Sequence, residues 1–193
     1  IFIRVFGEFM MVGHMVDSLM YASMIVMLYK LIGKKVFIML PLFMFFGVAG
    51  YNLMCLFFLV IIIYLLNKGY DNDILIAFLV GLCFITKQNI GVFLFIPSFI
   101  YSKNKLKSVC SFMLPLLVVV IYLVYNDCLY QFIDYCFLGL FDFGEKNLYV
   151  DKLFVVLFII NIIYLVYKLW RSNFKDKELF YILSFQLVMY PIF

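Results

Sequence analysis

Residues 82–93 read "LCFITKQNIGVF", and the fold turns on them. A lysine, a glutamine and an asparagine stand side by side in the middle of an apolar block that runs from Ile74 to Tyr101. A lysine at the centre of a bilayer helix costs roughly 2.5–3.5 kcal/mol on insertion scales. As one helix, residues 74–101 would also be too long, at roughly 42 Å for 1.5 Å per residue against a hydrocarbon core about 30 Å thick. Both difficulties vanish if the block is a tight hairpin of two short helices, 74–86 and 90–101, with "TKQN" at its tip. Consecutive polar side chains there can satisfy the backbone groups freed by the break.

The same reading extends outward. Residues 36–66 would make a helix of roughly 46 Å. They contain "FFGVAGYN", with Gly47, Gly50 and Asn52 as breakers. This block divides into 36–48 and 51–66. The other apolar blocks, at about 16–32, 108–125, 153–169 and 178–193, are single segments. The fold class expected is all-α: a polytopic transmembrane helix bundle of about eight membrane segments, some short and paired as hairpins, in one domain.

Composition points the same way. Of the 193 residues, 68% are hydrophobic and only 13% charged, where a soluble domain is about half apolar and about a quarter charged. The surplus calls for lipid as solvent, and apolar blocks rather than alternating strands exclude a transmembrane barrel. The five cysteines, Cys55, Cys83, Cys110, Cys128 and Cys136, show no metal spacing. The first three read as small packing residues inside apolar blocks. Cys128 and Cys136 share one loop and are near enough in sequence for a disulfide, with nothing beyond proximity to support it. The stretch begins without methionine and stops inside an apolar block, and is expected to be an internal fragment, with an N-terminal helix, a first loop and a C-terminal part outside it.

Basic residues set the orientation. Of the fifteen lysines and arginines, eleven fall on one side of the eight-segment arrangement. Arg4, Lys87, Lys146 and Lys152 fall on the other. The basic loops are therefore expected in the cytoplasm of a multi-pass cell-membrane protein. Thirteen-residue helices reach only about 20 Å, so both hairpin tips would lie at membrane depth. Non-helical backbone is tolerated there only inside protein or beside a water-filled cavity. The expected cavity opens to the extracytoplasmic side and is lined by Lys87, Gln88, Asn89, Tyr51 and Asn52. The loop 126–152 faces the same side. Asp127, Gln131 and Asp134 would share one helical face, and Tyr130, Tyr135, Phe137 and Phe141 would form an interfacial belt. At the start of the chain, Ile3, Phe6 and Met10 make an amphipathic lead-in.

Lys87 carries the main chemical signal. Ionisable residues within membrane segments usually mark function, and a lysine is a good point-charge partner for phosphate. Gln88 and Asn89 add donors and acceptors for hydroxyls. The plainer alternative is a lysine that caps a helix end or snorkels to headgroups. His14 and Asp17 share a helix face, an arrangement that serves a structural hydrogen bond more often than a base and its orienter. No glycine-rich nucleotide loop, HExxH motif or Cys/His metal set is present in the sequence. Nothing in it suggests nucleic acid.

The succession of "FIRVFGEF", a crossing ending "YKLIGKK", a short segment ending "GYN", a crossing ending "YLLNK" and then "GLCFITKQNIG" resembles the GT-C superfamily of polytopic membrane glycosyltransferases. The likeness is to the bacterial branch of protein O-mannosyltransferases and lipid A aminoarabinose transferases, over roughly residues 1–107. The resemblance implies an enzyme that moves a sugar from a polyprenyl-phosphate-linked donor to an extracytoplasmic glycan, lipid or protein acceptor. It also implies an acidic catalytic residue, a base or a ligand for a divalent metal, in a first extracytoplasmic loop that would precede Ile1. Where relatives carry an arginine near the second crossing, this chain has His14. Interrupted segments also suit a transporter or flippase with discontinuous helices, and a non-catalytic membrane subunit is a third reading.

Overall fold

The computed structural model describes residues 10–36, 51–134 and 152–189. Every regular element among them is helical. In chain order they are α1 (Met10–Ile32), a 3-10 turn at Gly33–Lys35, α2 (Tyr51–Asn67), α3 (Asp73–Thr86), α4 (Gln88–Tyr101), α5 (Lys105–Tyr125), α6 (Leu129–Ile133), α7 (Lys152–Arg171) and α8 (Lys177–Met189). The all-α class expected from composition is what the structure shows.

Two stretches, Met15–Ile32 in α1 and Lys105–Tyr125 in α5, are long and apolar enough to cross a membrane. Only 11% and 17% of them is buried, so protein does not cover them as it covers the central helix of a globule. α2, α3 and α4 are apolar but shorter. The segment 36–48 (beyond Val36), the lead-in at Ile3 and Phe6, and the loop from Tyr135 to Asp151, with Cys136, lie outside the described residues.

The chain divides into two compact units, Ile1–Asp71 and Asn72–Phe193. In the first, Met24 of α1 is wholly buried against Leu53 and Val60 of α2, flanked by Met20, Met27 and Phe57. These residues recur every three or four positions along each helix, the spacing that gathers apolar side chains on one face.

The second unit is built on the α3–α4 hairpin. Asn72 starts it: its Oδ1 accepts from the amides of Ile74 at 3.1 Å and Leu75 at 3.3 Å, relieving two of the orphan donors of a helix start. The open end of the hairpin is tied by Asp73. Its Oδ2 accepts from Ser102 Oγ at 3.1 Å and from the Lys103 amide at 2.7 Å. The first residue of α3 thus meets the chain just past the end of α4, so the two helices run antiparallel and match in length. Hydrogen bonds to a charged partner contribute about 1.5–3 kcal/mol. Asp73→Ala should therefore destabilise the second unit by about that much, and Asp73→Asn by less, since an amide oxygen still accepts. Thermal unfolding in detergent, followed by labelling of the buried Cys83 thiol, reads the difference; equal stability of Asp73→Ala and wild type would refute the tie.

α5 packs along α3. Ser111 Oγ donates to the Ile74 carbonyl at 2.6 Å, and a Cβ at Gly81 would sit 2.5 Å from the Phe112 carbonyl oxygen. The missing side chain is what lets the two backbones approach, the usual basis of close packing between apolar helices. Phe112 completes the contact, its ring 5.5 Å from Phe84 and 4.3 Å from Phe95 between centroids. α7 and α8 pair through Leu165, Leu169, Leu179 and Leu183. Their turn is joined to the end of α4 by Tyr101, whose hydroxyl donates to the Phe174 carbonyl at 2.6 Å.

Three expectations change. α5 starts at Lys105 rather than near residue 108, because Asn104 caps it, accepting from the Lys107 amide at 3.2 Å. Asp127 does not share a helix with Gln131 and Asp134: it takes a left-handed conformation (φ 53°) that ends α5, and α6 begins only at Leu129. Cys55 and Cys83 are buried as packing residues, but Cys110 is exposed.

Candidate functional site

The polar triplet lies at the tip of the α3–α4 hairpin. Only one residue leaves helical conformation. Lys87, at φ −151° and ψ 107°, is extended and serves as the end of α3 and the start of α4 at once. Its amide donates to the Cys83 carbonyl at 2.8 Å, and its own carbonyl accepts from the Gly91 amide at 3.1 Å. The last bond of one helix and the first of the next are thus made by the same residue. Gln88 and Asn89, expected in the turn, instead form the first turn of α4.

Neighbouring polar side chains satisfy the break locally. Thr86 Oγ1 donates to the Leu82 carbonyl at 2.8 Å, and Asn89 Oδ1 accepts from the Ile90 amide at 2.9 Å. Lys87, Gln88 and Asn89 are each half-buried. Carbonyls ending α3 and amides opening α4 come together here, so opposite ends of two helix dipoles flank the lysine. The remaining N-terminal donors and the ammonium suit an anion, and the amide side chains suit hydroxyls.

What permits so short a turn is Gly91, which the sequence offers as a breaker closing "TKQNIG" and the structure uses for close approach. A Cβ there would sit 2.5 Å from the Phe84 backbone nitrogen and closer still to its Cα. The signal available was a glycine four residues after the lysine in an otherwise bulky apolar run, a mark of close helix approach. Gly81, on the α5 side of α3, carries the same mark.

Tyr51 and Asn52 open α2 in the first unit, and their side chains lie outside the described residues, as does that of His14. Among the described residues, no cluster of three or more His, Cys, Asp or Glu side chains could hold a metal ion. Comparison of the chain with family models, with curated proteins and with solved structures finds no match.

Proposed function

We propose that the chain is part of a multi-pass membrane glycosyltransferase, and that Lys87 holds the phosphate of a polyprenyl-phosphate-linked sugar. The observation that carries this reading is a hairpin of two 14-residue helices that turns on a single lysine. Each helix is about 21 Å long. With the open end, at Asn72 and Lys103, at a membrane surface, the tip lies inside a hydrocarbon core about 30 Å thick. A lysine at that depth is a point-charge partner for phosphate, and the headgroup phosphate of a lipid-linked donor is an anion delivered at membrane depth.

In this reading Gln88 and Asn89 bind sugar hydroxyls. The sugar leaves its phosphate as the acceptor attacks. Negative charge grows on the departing polyprenyl phosphate, where a positioned ammonium counts most. The acceptor's proton passes to the catalytic carboxylate that the glycosyltransferase resemblance implies. The basic loops face the cytoplasm, and about eight segments, counting the paired short ones, enter the membrane. The surrounding solvent is lipid, consistent with exposed Leu117, Val118, Ile121 and Val124 on α5 and Ile159, Ile160 and Ile163 on α7.

The broken helix also suits a flippase or transporter with a binding point at membrane depth, which ranks second to the enzyme. Purified full-length protein, given a polyprenyl-phosphate-linked sugar and an envelope-derived acceptor, separates the two. Transfer of labelled sugar to the acceptor supports the enzyme. Movement of the labelled lipid across a sealed vesicle, with no transferred product, replaces it with the flippase.

A further inference from the structure

The hydrogen bond from Tyr101 to the Phe174 carbonyl joins the turn after α4 to the turn after α7, and around that joint stand five exposed cations: Lys103, Lys107, Lys168, Arg171 and Lys175. None of their charged groups bonds to another described residue. Their neighbours are committed elsewhere. Lys105 Nζ donates to the Phe99 and Ile100 carbonyls, closing the end of α4. Lys177 lies over the Tyr101 ring at 5.7 Å. Two acids at this end accept from backbone amides: Asp73 from Lys103, and Asp176 from Leu179 at 3.1 Å.

Beside the cations stand large apolar side chains with no protein cover, Leu106, Trp170 and Phe174, at 74%, 68% and 52% exposure. A soluble acidic partner would satisfy the charges and leave this collar, and the bare flanks of α5 and α7, in water. A leaflet of anionic lipid takes both at once. Headgroup phosphates meet the cations, glycerol and upper acyl chains meet the tryptophan and phenylalanine, and the surface potential favours each added lysine or arginine.

We propose that this end of the second unit is a binding surface for anionic phospholipid headgroups, recruiting them in preference to zwitterionic ones. The proposal rests on the membrane placement above and is independent of the sugar-transfer chemistry.

Trp170 is the chain's one tryptophan and sits within the patch, so its fluorescence reports the adjoining lipid. The full chain is reconstituted into equal mixtures of phosphatidylcholine and phosphatidylglycerol, with bromine carried on the chains of one lipid or the other. Brominated phosphatidylglycerol should quench Trp170 about twofold more strongly, or better, than brominated phosphatidylcholine, and the preference should shrink as salt rises. A variant carrying Lys103→Gln, Lys107→Gln and Lys175→Gln should lose most of the preference; with arginine at the same three positions it should be kept. Equal quenching by the two lipids in wild type overturns the proposal and leaves the membrane placement standing. Absence of quenching by either lipid overturns both, and an unchanged preference in the glutamine variant overturns the assignment to these cations.

Discussion

Lys87→Ala is expected to reduce sugar transfer by about 100-fold to 1000-fold, the effect typical of removing one group that stabilises developing charge, while leaving the protein folded and inserted. The fold should survive because the backbone at Lys87 is extended, a conformation alanine adopts readily, and two bonds across the break use its amide and carbonyl, which alanine keeps. Lys87→Arg should keep a substantial share of activity, since the positive charge survives although the reach and shape change. The measurement is single-turnover transfer from a polyprenyl-phosphate-linked donor by the reconstituted full-length protein, with protection of the Cys83 thiol as the fold control. If Lys87 acts only in holding the donor, KM rises and the turnover rate stays; if it also stabilises the leaving phosphate, the rate itself falls. Normal turnover and normal KM in Lys87→Ala would leave a helix-capping lysine and remove the phosphate role.

The sequence made the break legible because a lysine, a glutamine and an asparagine cannot all lie on an apolar helix at mid-membrane without cost. Which of them breaks the helix was not legible. Gln88 and Asn89 are compatible with a first helical turn, and only the backbone angles single out Lys87. The helix starts were blurred for a related reason. Apolar blocks mark where greasy residues begin, whereas Asn72 and Asn104 begin helices before them through side-chain caps. The close contacts of Gly81 and Gly91 were hidden more deeply. A glycine in an apolar run reads as a breaker or as a spacer, and partner identity, α5 for one and α4 against α3 for the other, belongs to tertiary packing. The tie from Asp73 to Ser102 and Lys103 spans about thirty residues, and no local pattern announces it. On the site itself, the residue types of the tip were readable. Tyr51 and Asn52 were joined to it by chemistry alone.

Gly91→Val is expected to destabilise the second unit by about 3 kcal/mol or more, the upper range of overpacking effects. The reason is what the new atoms would meet. A Cβ at position 91 falls 2.5 Å from the Phe84 backbone nitrogen, and a backbone atom in a helix cannot swing aside as a side-chain tip can. The two helices must part by an ångström or more at the tip, which strains the one-residue turn at Lys87 and loosens the Phe84 and Phe95 contacts with Phe112. Gly91→Ala should show the same defect at smaller size, since it adds the clashing Cβ without the two further methyl groups. Val92→Ala next door, at an exposed position, should change little. Unfolding in detergent, read by labelling of Cys83 with the other four cysteines replaced by serine, ranks the three. Transfer activity should follow the same order, because the lysine is placed only when the turn closes. This separates the two residues of the tip: Lys87→Ala lowers activity at full stability, and Gly91→Val lowers both together. A Gly91→Val protein as stable as wild type would show that the helices do not meet at this point, and the depth assigned to Lys87 would lose its geometric support.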